Sequence, residues 1–154
     1  MTLPYEKATS GKSTVADMQK ILRGFGAVSF GCMEDFEHGE VIVQFEHRER
    51  QVVIKASSTG YARAWLKEHP YRYRSNGLTA DAHTRKALKI GQTAVYSILR
   101  DWIKGQVTAV KVGMLSFEGA FLGQILLPNE QTVMEQVERQ NILRVGRRHA
   151  EAAE

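Results

Sequence analysis

A chain of 154 residues, 43% apolar and 25% charged, has the size and composition of one globular domain, which excludes two full domains and an intrinsically disordered chain. Apolar runs such as Ile125-Leu126-Leu127 extend only a few residues, too short to cross a bilayer, and one cysteine, Cys32, excludes an internal disulfide or a multi-cysteine zinc site. The net charge of +4 favours anionic partners. It is unevenly spread, because residues 1–50 and 106–154 are mildly acidic and residues 51–105 carry ten Lys/Arg against three Asp/Glu.

Residues 1–12 are expected to form an N-terminal tail without the apolar centre of a signal peptide, so a cytoplasmic protein is expected. A first helix is predicted from Thr14, where Thr14-Val15-Ala16-Asp17 resembles a capping box, and it should end near Gly24 after Val15, Met18, Ile21 and Leu22 recur at helical spacing. Ala27–Met33, Val41–Phe45 and Gln51–Ala56 read as strands separated by polar turns at Glu34–Glu40 and His47–Arg50. Ser57–Gly77 reads as an irregular loop containing Gly60, Pro70 and Gly77, with room for a brief helix over Tyr61–Glu68. Beyond Asp81 a long apolar stripe (Leu88, Gly91, Val95, Ile98 and Trp102 at its start) predicts a helix of about thirty residues ending near Gly113, with Gly91 and Gly105 as weak points. Ser116 can begin a short helix, and Thr132-Val133-Met134-Glu135 is a capping box for a terminal one. The expected architecture is α+β: a short helix, a three-stranded antiparallel meander, a long helix packed on the sheet and a helical C-terminal extension. Residues 13–128 form the domain and residues 129–154 the C-terminal helix and tail.

Ser116, Phe117, Glu118, Phe121 and Leu122, followed by Leu127, Pro128, Thr132 and Val133, make a pattern that resembles small bacteriophage and prophage proteins with a long helix, an SFEEEFL-like motif and an LPDGRTV-like turn. The chain departs from that pattern at Gly119 and at Asn129-Glu130. The resemblance implies phage origin and a bacterial host cytoplasm, and assigns no catalytic residue.

Several patterns imitate chemistry without completing it. Gly11-Lys12-Ser13-Thr14 matches the end of a phosphate-binding loop, but Glu6 stands where its first glycine belongs and no good strand precedes it. Glu34, Asp35, Glu37, His38 and Glu40 offer oxygen ligands without the glycine-punctuated spacing of a calcium loop. Val53 and Ile54 precede Lys55 where a nuclease needs an acid, and His38, His47, His69, His83 and His149 form no metal-binding helical pair. Cys32 reads as a small buried strand residue, and Glu118 as a first-turn acid at a helix start. No enzyme, cofactor or metal is expected.

The richest constellation interleaves cations with aromatics: Arg63, Trp65, Lys67, Tyr71, Arg72, Tyr73 and Arg74 on the loop, with Arg85, Lys89, Tyr96 and Arg100 on the outer face of the long helix. Cations suit phosphates and flat rings suit bases, so the expectation is a non-enzymatic protein that binds DNA or RNA. The order helix, three strands, helix is similar to that of double-stranded-RNA-binding modules, a likeness of topology alone. The alternative is a protein-interaction factor that binds and inhibits a host or defence protein. The exposed stripe of the long helix also offers a surface for a homodimer, and no membrane partner is expected.

Overall fold

The computed structural model describes residues 2–9, 11–73, 77 and 79–143. Helix α1 runs over Gly11–Phe25 and buries Thr14, Met18 and Leu22, one per turn. The capping motif expected at Thr14 lies inside its first turn, where the Thr14 hydroxyl donates to the Gly11 carbonyl at 2.6 Å. The helix also runs past Gly24. It closes at Gly26, whose φ of +98° lets Ala27 N–H reach back to the Leu22 carbonyl.

Strands β1 (Ser29–Asp35), β2 (Glu40–His47) and β3 (Arg50–Ser57) form the expected antiparallel meander in the order β1-β2-β3. Val43 pairs with both Cys32 and Ile54, and Phe45 with both Phe30 and Val52, so these residues share the inward face. Arg48 and Glu49 both take positive φ, the two-residue hairpin geometry that matches the sheet's twist.

Helix α2 spans Ser58–Glu68, so Tyr61, Arg63, Trp65 and Lys67 stand on a helix and not on a flexible loop. β3 feeds α2 directly, because Ser57 caps it by accepting from Gly60 N–H at 2.9 Å. Helix α3, Ala80–Lys111, is about 48 Å long and begins at Thr79, with Asp81 in its first turn instead of at its cap. It remains one helix through Gly91 and Gly105.

α1 and α2 flank α3; α1 and α3 lie against the inward face of the sheet, while α2 buries Ala62 and Trp65 against α3 in a cluster of its own. The core joins Met18 and Leu22 of α1, Val41, Val43, Phe45, Val52 and Ile54 of the sheet, and Leu99, Ile103 and Val107 of α3. Ser116 caps the short helix α4 (Phe117–Phe121), which places fully buried Phe121 edge-on to Phe45 and Trp102 at 5.4 and 5.8 Å. Ile125 bridges to Val52, and Glu130 adopts positive φ in the turn that follows. The Thr132–Glu135 capping box then opens α5, Val133–Gln140. Leu88, expected on the apolar stripe of α3, is exposed although Ala87 and Gly91 on either side of it pack against α2, because it turns to the neighbouring side of the helix and lines a groove. Thr2–Thr9, expected as a tail, is fastened: Tyr5 donates to Asp101 at 2.6 Å, and the Pro4 carbonyl accepts from Tyr61 at 2.5 Å.

Candidate nucleic-acid interface

The site grows from one carbonyl. Gly39, at φ +63° in the β1–β2 turn, accepts from the Ser58 and Thr59 N–H groups at 3.0 and 3.2 Å and from the Ser58 hydroxyl at 2.8 Å. Those N–H groups open α2 and have no partner within the helix, so the hairpin tip serves as a helix cap. A Cβ on Gly39 would overlap the Thr59 side chain, which accounts for glycine there. At the same tip Asp35 accepts from the His38 N–H at 3.0 Å and contacts its ring at 2.7 Å, and these hydrogen bonds hold its carboxyl below the usual carboxylate range.

α2 and α3 run antiparallel in close contact. A Cβ on Gly91 would stand 2.5 Å from the Ser58 carbonyl oxygen, so only glycine allows the approach. Trp65 and Ala87 form the core of this seam. Between the hairpin tip, α2 and α3 lies a groove of 530 Å³ whose walls include Asp35, Phe36, Glu37, Arg63, Leu88 and Lys89. A second recess of 410 Å³ adjoins it, shares Glu34 and Gln92, and reaches Lys12 and Tyr96.

Of the residues expected to bind nucleic acid, Arg63 of α2 and Lys89 of α3 both line this groove. Lys67 lies one turn beyond Arg63, and Arg85 one turn before Lys89, each on its partner's side of the helix. All four are exposed, with no carboxylate oxygen within 4 Å among the described residues. Arg72, Tyr71 and Tyr73 follow in the exposed segment after α2, with Tyr73 82% exposed. Arg74 lies outside the described residues.

The remaining three sit elsewhere. Trp65 is 4% exposed; its ring N–H donates to Glu6 at 3.1 Å, and His69 stacks on it at 4.4 Å. It belongs to the seam and cannot stack on a base. Tyr96, 8% exposed, points inward and donates to Glu34 at 2.6 Å; burial and then that bond raise its pKa. Arg100 is held by Asp101 at 3.1 Å and faces Asp17 at 3.7 Å. α1 packs against α3 along part of the face expected to be open, which is why Tyr96 is buried.

Sequence reading overlooked Phe36, which is 88% exposed at the groove's edge. A phenylalanine inside an acidic turn was the available signal. The Glu34–Tyr96 pair carried no signal, because it joins residues 62 positions apart. Cys32 is half-buried on the inward face, and burial is the main cause that raises its thiol pKa. The phosphate-loop look-alike is the first turn of α1. Among the described residues, no three His, Cys, Asp or Glu side chains are grouped to hold a metal, and no helix is long and apolar enough to cross a membrane. Comparisons with protein-family profiles, curated proteins and solved structures find no match for this chain.

Proposed function

We propose that this is a non-enzymatic nucleic-acid-binding protein of phage type, acting in the bacterial cytoplasm through the α2–α3 surface. The observation that carries the reading is Arg63 and Lys89 in the lining of one groove, with Lys67 and Arg85 a turn away on the same two packed helices and no carboxylate oxygen within 4 Å of any of the four among the described residues. Arg50, Lys55 and Arg100, by contrast, have acids beside them. Cations placed this way gain most from a polyanion, whose condensed counterions are released on contact. Exposed Tyr71 and Tyr73 extend the surface with rings able to stack.

The test is fluorescence anisotropy with labelled oligonucleotides across a salt series. With four phosphates neutralised on a single strand, the logarithm of the association constant falls against the logarithm of salt with a slope of about −3. The quadruple variant R63A/K67A/R85A/K89A, checked for folding by circular dichroism, should lose both the affinity and most of the slope. Absence of any complex at low salt with single- and double-stranded DNA and RNA would overturn the reading.

A second reading, contact with a host or defence protein, is favoured by Val112, Met114 and Leu115, exposed large apolar side chains just beyond α3. Binding through that end would survive nuclease treatment and be lost in Met114→Asp, whereas binding through α2–α3 would not depend on Met114.

A further inference from the structure

We infer that the groove takes single-stranded nucleic acid, with phosphates on Arg63 and Lys89 and one amino-bearing base stacked on Phe36, its edge against Glu34 and Gln92; this rests on the nucleic-acid reading above. The groove and its adjoining recess share Glu34 and Gln92, so these polar groups lie where the two spaces meet. Opposite sides of the groove differ in charge: the helices contribute Arg63 and Lys89, and the hairpin contributes Glu34, Asp35, Glu37 and Glu40. A duplex carries phosphates along both edges and would set one row against the carboxylates. A single strand can keep its phosphates on the cationic side and turn its bases to the other.

Phe36 supplies the ring that such a base needs. It is 88% exposed, and the turn that carries it is pinned to α2 through the Gly39 carbonyl, so the backbone beneath the ring is held in place before ligand arrives. Its aromatic partners would come from the ligand, since no ring contact to Phe36 is found among the described residues. At the junction, Glu34 Oε1 accepts from the Tyr96 hydroxyl at 2.6 Å, which orients the carboxylate and leaves Oε2 for a ligand donor. A carboxylate accepts and does not donate, so it selects a base edge bearing an exocyclic amino group, as in cytosine, adenine or guanine. Thymine and uracil present two carbonyl oxygens beside one N–H and are disfavoured. The Gln92 amide can either donate or accept there.

The test uses the full chain with labelled dC, dA and dT homopolymers of about twelve nucleotides at low salt. Expected are affinities for dC and dA at least about fivefold above dT. Phe36→Ala should weaken binding to all three by about tenfold with the salt slope unchanged, because stacking and not phosphate contact is lost. Glu34→Gln and Gln92→Leu should narrow the difference between the homopolymers. If Glu34→Gln melts at a markedly lower temperature, Gln92→Leu and the exposed Phe36→Ala decide the matter. Equal affinity for dC, dA and dT, wild-type binding by Phe36→Ala, or tighter binding of duplex would each overturn this inference while leaving the nucleic-acid reading in place. No complex with any oligonucleotide would overturn both.

Discussion

His47 shows how much one buried side chain can contribute to pH behaviour. It is 6% exposed on β2, its ring lies 4.1 Å from Phe25 and 5.0 Å from Phe117, and neither ring nitrogen has a hydrogen-bond partner among the described residues. Burial among these rings pushes its pKa below the ordinary value of about 6.5, with Arg48 acting in the same direction and the nearby Gly26 backbone against it. The folded chain therefore binds fewer protons at this site than the unfolded chain. The stability contribution is complete above the unfolded pKa and is lost as pH falls through it towards the folded value. Urea midpoints at about pH 7.5 and about pH 5 should show this loss in the wild type, and His47→Phe should reduce it while costing no stability at neutral pH. An unchanged difference between the two pH values in His47→Phe would assign the acid sensitivity to other groups. The chain has five histidines, and nothing local in the sequence marks His47 as the buried one.

At the scale of elements, the α2–α3 seam decides where the cations stand. Two glycines in α3 differ sharply. A Cβ at Gly91 would meet Ser58 and Ala62 backbone atoms at 2.5 and 3.0 Å, whereas one at Gly105 meets nothing within 4 Å. Gly91→Ala is therefore expected to destabilise by about 1–3 kcal/mol through forced separation of the helices. Gly105→Ala should stabilise by about 0.5–1 kcal/mol because alanine is the better helix former. Thermal melts of the two variants check the pair, and equal effects would argue against close packing at Gly91. Sequence periodicity marked both only as weak points. Whether a helical glycine is a contact or a liability depends on which element crosses it. α2 itself illustrates the limit of local signals: Ser57-Ser58-Thr59-Gly60 reads as a loop, yet Ser57 and the Gly39 carbonyl together cap a helix there.

For the whole molecule, part of the positive middle third of the chain, Arg63, Lys67, Arg85 and Lys89, becomes one region of surface, where α2 and the first half of α3 lie side by side. Like charges held together this way repel in the folded state more than in the expanded one, and added salt screens them over about 8 Å at physiological ionic strength. Raising sodium chloride from about 20 to about 200 mM should therefore raise the melting temperature by about 2 °C. That gain should shrink in R63A/K67A/R85A/K89A, and an unchanged gain in the variant would show that the repulsion lies elsewhere. By itself the sequence determined the α+β class, the order of helix, meander and long helix, and the caps at Ser116 and Thr132, because these depend on period, turn chemistry and side-chain-to-backbone bonds within a few residues. It also located the cationic stretch. Only the tertiary structure decided which members of that stretch face solvent. Burial of Trp65 and Tyr96, pairing of Arg100 with Asp101 and Asp17, and the meeting of Phe36 with Arg63 and Lys89 join residues far apart in the chain. Periodicity shows that a helix has an apolar side, but α3 is covered by two helices and a sheet at once, and no local pattern says where each partner's edge falls.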